Sequence, residues 1–108
     1  MISHRLKSEI RVQAYLRRCS VNNVAGVVVQ KGDEDAGAIA IKVYNCAGKA
    51  ELFVESYDDE GSPYWRSRFD GFVEEAIVDA HLEKEKNFDR DLWIVEIEDR
   101  EGRSFLND

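Results

Sequence analysis

The sequence predicts an α+β fold in which two helices accompany an antiparallel sheet of about five to six strands. Three observations carry that expectation. Two long stretches repeat their apolar residues at helical spacing, and several shorter ones alternate apolar and polar residues with period two. The segments between successive short runs are too brief for the crossovers that parallel neighbours need. The third is size: 108 residues with a 44% hydrophobic fraction suit one core, so residues 1–108 read as a single domain.

Residues 6 to about 20 lack Gly and Pro and read as the first helix, with Ser3 as a candidate N-cap. Val12, Tyr15, Leu16 and Cys19 share one side, and Leu6, Ile10 and Ala14 form a second apolar strip. Lys7, Arg11 and Arg18 lie between them as a basic ridge. Asn22, Asn23 and Gly26 end the helix. Val27-Val28-Val29 then leads through a turn-rich loop into Ala38-Ile39-Ala40-Ile41-Lys42-Val43-Tyr44, which predicts a hairpin. In the second arm Ile39, Ile41 and Val43 share one face, and Ala38, Ala40, Lys42 and Tyr44 the other.

A turn at Asn45-Cys46-Ala47-Gly48 precedes the strand Ala50-Glu51-Leu52-Phe53-Val54-Glu55-Ser56. Asp58-Asp59-Glu60-Gly61-Ser62-Pro63 breaks the pattern before Tyr64-Trp65-Arg66-Ser67-Arg68-Phe69, and the four runs read as a meander. Helical spacing returns over residues 72–87, with Val73, Ala76, Ile77, Ala80 and His81 on one side. Leu92-Trp93-Ile94-Val95-Glu96-Ile97 is a strong strand, and Asp99-Arg100-Glu101-Gly102 a turn into a short final one, Ser104-Phe105-Leu106. The expected order is α-β-β-β-β-α-β-β, with both helices covering one face of the sheet.

Composition narrows the function. A net charge of −7 disfavours a general nucleic-acid binder, which needs a basic surface. No apolar run approaches the roughly 18 residues of a membrane span, and no apolar segment follows the basic start as it does in export signals. The expected location is therefore cytoplasmic, with Cys19 and Cys46 as free thiols. Neither cysteine has zinc-ligand spacing, and no phosphate-binding glycine loop or nucleophile elbow occurs. No cofactor is expected. The basic start of the chain should dock against its own acidic sheet.

Three features could carry chemistry. Asp33, Glu34 and Asp35 sit between Gly32 and Gly37, where carboxylates can hold a hard cation or simply close turns. Glu96 and Glu98 share one side of a strand, about 7 Å apart, and can bind metal, run acid–base chemistry, or pair with Arg66 and Arg68. The ridge bearing Arg11 and Arg18 can receive an anion or an acidic partner, or pair internally. His81 and His4 have no partner histidine at ligand spacing.

Three blocks in this order resemble a known family. They are Leu6-Lys7-Ser8-Glu9-Ile10 with Tyr15-Leu16-Arg17-Arg18-Cys19, the loop Gly32-Asp33-Glu34-Asp35-Ala36-Gly37, and the stretch from Asp91-Leu92-Trp93-Ile94-Val95-Glu96 through Ile97-Glu98-Asp99-Arg100-Glu101-Gly102-Arg103. Together they resemble the small bacterial family known as domain of unknown function 1491. The resemblance implies a bacterial cytoplasmic protein of one domain and carries no reaction or ligand with it. The leading expectation is a non-enzymatic binding or regulatory module whose acidic loop and arginine ridge contact a protein partner or a second copy of itself. Two rivals are a metal-dependent hydrolase built on Asp33, Asp35, Glu96 and Glu98, and an anion or nucleotide sensor built on Arg11 and Arg18.

Overall fold

The computed structural model describes residues 6–106. Helix α1 (Ser8–Val21) is followed by strands β1 (Gly26–Gln30), β2 (Ile39–Tyr44), β3 (Lys49–Tyr57), β4 (Pro63–Ser67) and β5 (Val73–Glu74). Helix α2 (Glu75–Phe88) and strand β6 (Trp93–Glu98) complete it. The fold is α+β, with the strands in the order β1-β6-β2-β3-β4 and the short β5 paired to β3.

The sheet is mixed rather than antiparallel throughout. β6 runs antiparallel to β1 and parallel to β2, so it separates the two runs expected to form a hairpin. Burial explains the insertion. Trp93, Val95 and Ile97 fill one side of β6 and Ile94 the other, all nearly inaccessible, and a strand apolar on both sides belongs at the centre of a sheet. β1 leaves Val27, Val28 and Val29 partly exposed and stays at the edge. The meander holds for β2, β3 and β4, which pair antiparallel in sequence order.

The helices take opposite faces, not one. Val12, Tyr15 and Cys19 of α1 pack with Ile39, Ile41, Val43 and the odd-numbered side of β6. Val78 and Leu82 of α2 pack with Ala40, Ala50, Leu52 and Ile94. Because β2 and β6 bury both sides, each face needs its own cover. Residues 104–106 are not a strand: Phe105 has φ 57°, outside the extended region. Instead Tyr15 donates its hydroxyl to the Ser104 carbonyl at 2.7 Å and Arg18 its Nη1 to that of Phe105 at 2.6 Å. Phe105 and Leu106 then lie against the core beneath α1.

Ser3, the expected cap, lies outside the described residues, as does His4. The acidic loop serves α1 instead: the Ser8 and Glu9 amides donate to the carbonyls of Asp35 and Glu34 at 3.2 and 3.0 Å. The first amides of a helix have no partner within it, and this loop supplies one.

Candidate functional site: the trough beside α1

The acidic loop is a brace before it is anything else. The Asp33 carboxylate accepts the amides of Asp35 and Ala36 at 3.1 and 2.8 Å, the turn chemistry that favours Asp. Its backbone carbonyl takes the Trp93 indole N–H at 2.7 Å, and its amide donates to Asp91 at 3.0 Å. Ser8 Oγ donates to the Gly37 carbonyl at 2.6 Å. The loop approaches so closely that a Cβ at Gly32 or Gly37 would collide with the Asp91 carbonyl oxygen. Glycine is needed there for space. At the surface Asp35 meets Lys7 at 3.6 Å and Glu34 meets Lys31 at 3.4 Å.

Glu96 and Glu98 lie on the other side of the sheet, where α2 sits. Glu96 faces the ammonium of Lys42 at 3.5 Å, and that ammonium donates to Glu75 and Asp79, each at 2.7 Å. Lys42 is 3% exposed. Burial alone would lower its pKa, but the bonds from Asp79 and Glu75 and the charge of Glu96 outweigh that and raise it. Arg66 and Arg68 do not serve Glu96 or Glu98, because β2 and β3 lie between β4 and β6. Arg66 donates to Ser56 Oγ at 3.3 Å, and Arg68 lies 4.9 Å from the centre of the Phe69 ring.

The acidic loop and the acidic strand therefore do not converge. Among the described residues no group of three or more His, Cys, Asp or Glu side chains gathers where a metal ion could sit. His81 meets Phe69 edge-on at 5.5 Å. Burial and the nearby Arg68 charge lower its pKa.

Arg11, Arg18 and Asp35 do come to one face. Arg11 pairs with Glu55 of β3, as expected of a basic helix on an acidic sheet. Three hollows adjoin it. One of about 230 Å³ is floored by Ile39, Ile41 and Val95 and bounded by Arg18. A second of about 400 Å³ opens between Ser8, Asp35 and Tyr57. The third, about 490 Å³, is lined by Phe53, Tyr64, Trp65 and Leu106. Arg11 lines all three, so they adjoin around its side chain as a broken trough beside α1.

Two structural groups escaped the sequence reading. Lys42 carried a signal, a single charge amid apolar neighbours on a strand that proves central. Asp99 and Arg103 carried another, the four-residue spacing across a turn. The buried Asp99 carboxylate accepts Arg103 Nε and Nη2 at 3.0 and 2.9 Å, and these bonds hold its pKa below the usual carboxylate range. The Arg103 guanidinium in turn lies 5.0 Å from the centre of the Phe105 ring.

Comparisons with known proteins agree with this architecture. A crystal structure of a DUF1491 family protein from Caulobacter crescentus CB15 is 37% identical, covering 96% of this chain and 97% of that one, with a TM-score of 0.88. An NMR structure of a DUF1491 family protein from the same organism is 36% identical over 98% and 96% of the two chains, with a TM-score of 0.84. The solution structure of protein Atu0922 from A. tumefaciens is 34% identical over 87% and 86%, with a TM-score of 0.74. None of the curated proteins matches the sequence. The family model described as "Protein of unknown function (DUF1491)" matches residues 6–107, and the chain belongs to that family.

Proposed function

We propose that this protein is a cytoplasmic, non-enzymatic binding module that holds an extended segment of a protein partner in the trough beside α1. The observation that carries the reading is the junction of three hollows at Arg11. A row of adjoining hollows, two of them lined largely by apolar side chains, with a few placed charges suits a chain better than a compact metabolite. The charge of Arg11 is met by Glu55, and Arg18 gives one donor to the Phe105 carbonyl, so the trough offers one guanidinium that suits a single carboxylate better than the phosphates of a nucleotide. The separation of Asp33 and Asp35 from Glu96 and Glu98 likewise disfavours a hydrolase built on them together. The cytoplasmic assignment leans on two free thiols, one buried in α1 and one exposed at the turn after β2.

The charges define the partner. A segment with an acidic residue beside Arg18, apolar side chains over Trp65 and Leu106, and a basic residue beside Asp35 would match the trough. Peptide-display selection against the folded protein should return such sequences, and amide shifts on binding should cluster around Arg11, Asp35 and Trp65. Arg18→Glu with Asp35→Lys should weaken the selected peptides about tenfold or more. Shifts confined to the α2 face, or affinity indifferent to the charge reversal, would overturn the reading.

A further inference from the structure

The two edges of the sheet are built differently. β4 carries Pro63, which has no amide to offer, and an exposed Arg66, and both discourage the addition of another strand. β1 reads Gly26-Val27-Val28-Val29-Gln30, with neither charge nor proline. Its valines are 57%, 41% and 48% exposed, in a chain where 34% of residues are charged. Among the described residues no strand lies on its outer side.

The backbone of that edge is oriented to pair. The Glu98 amide donates to the Ala25 carbonyl at 3.2 Å, so Ala25 turns its polar groups toward β6. In an antiparallel ladder these directions alternate, so Val27 also faces β6, while Gly26 and Val28 turn theirs outward. The irregularity between Val28 and Gln30 ends the regular ladder just beyond.

We propose that β1 pairs antiparallel with β1 of a second copy of this chain, about a two-fold axis through Val27, joining two sheets into one. In that register Gly26 of each copy meets Val28 of the other, and the outward amides and carbonyls bond reciprocally. The charge pattern suits pairing with a second copy. Across a two-fold axis each residue near the centre meets itself or its close neighbour, so any charge there would face its like. From Asn22 through Gln30 this acidic chain carries no charge at all, and Lys31, the next charge, falls opposite Asn23 of the partner.

Apolar surface flanks the strand on both sides. Val21, 73% exposed, ends α1 on one face. On the other, Gln30 Nε2 donates to the Asp89 carbonyl, next to the largely exposed Phe88. The ladder is short, so the dimer depends on concentration.

Sedimentation equilibrium on the full chain tests the pairing. The wild type should shift from monomer toward dimer as concentration rises to the millimolar range. Val27→Lys places two lysines face to face across the axis and should weaken dimerisation about tenfold or more. In the monomer the new side chain lies opposite Glu96, its register partner on β6, so the fold should tolerate it. Val27→Glu should also stay monomeric, and an equimolar mixture of the two variants should dimerise. A wild type that remains monomeric, a Val27→Lys variant that dimerises normally, or a mixture that stays monomeric would each overturn the proposal. If Val27→Glu fails to fold beside Glu96, exchange of the Gly26 and Val28 amides decides. It should slow as wild-type concentration rises, and unchanged exchange rejects the pairing. This surface is separate from the trough, so either reading can fail alone.

Discussion

The two faces of the sheet anchor their helices by different means, although alternate residues of the same strands build both. On the α1 face every inward position of β2 and β6 is apolar, and the polar ties sit at the rim. These are the loop carbonyls at Ser8 and Glu9, the indole of Trp93, and the carbonyls held by Tyr15 and Arg18. On the α2 face a lysine occupies the middle of β2, and α2 reaches down with two carboxylates to meet it. α1 is held at its first turn and along one side by Arg11, Tyr15 and Arg18, whereas α2 is held by a buried ion that its first two turns reach. A buried ion must be met wherever it lies, whereas an apolar floor leaves a helix free to be located by its rim.

The sharpest way to break this comparison is to strand the buried charge. Glu75→Ala with Asp79→Ala leaves Lys42 only the longer contact to Glu96, and should cost about 3 kcal/mol in denaturant unfolding. Lys42→Met removes the ion together with its need for partners and should cost far less, within about 1 kcal/mol. Equal losses in the two proteins would show that the carboxylates position α2 without regard to the ammonium. On the opposite face Trp93→Phe keeps an aromatic ring but removes the donor to the Asp33 carbonyl and part of the buried indole volume. It should cost about 1–2 kcal/mol and speed amide exchange in the acidic loop and first turn of α1, with α2 unaffected.

The smallest effect is a pH dependence. Because the pKa of Lys42 is raised in the fold, its stabilisation is complete below the ordinary lysine value of 10.5 and fades as pH climbs through the raised one. Tyr15, held neutral chiefly by burial, loses stability over the same alkaline range. The difference between wild type and Lys42→Met therefore isolates the lysine: above pH 10.5 the wild type should lose stability faster. Parallel curves would mean that the carboxylates contribute no net preference for the charged form.

Local order was legible except at the second helix, which starts at Glu75 after the strand Val73–Glu74 and buries Val78 and Leu82 rather than the expected side of Val73, Ala76, Ile77, Ala80 and His81. The spacing of Val12, Tyr15 and Cys19 located the buried side of α1, and the alternation of Ile39, Ile41 and Val43 assigned the faces of β2 correctly. The basic helix did find an acid on the sheet, at Glu55. Pairings between distant segments were not legible. The loop between β1 and β2 has the length and glycines of a hairpin connection, and nothing within it shows that β6 will intervene. The hint lay in β6, whose apolar residues occupy both sides. That error carried others with it. A sheet with an interior strand needs cover on both faces, so the helices separated. Moving β4 away from β6 left Glu96 to Lys42 rather than to Arg66 or Arg68. The acidic loop showed its turn chemistry, but its support of α1 depends on Ser8 and Gly37 meeting across 29 positions.

The parallel pairing of β2 with β6 also constrains how this chain is made. A ribosome releases β1 and β2 early, yet β1 acquires its strand neighbour, and β2 its second one, only when β6 emerges. Until then β1 has no strand beside it, α1 has no complete floor, and the three valines of β1 face solvent on both edges. The meander of β2, β3 and β4 can assemble during synthesis, because its contacts are close in sequence. The other half must wait and then close around a late arrival, a non-local step of the kind that slows folding and leaves strand edges open to misassembly.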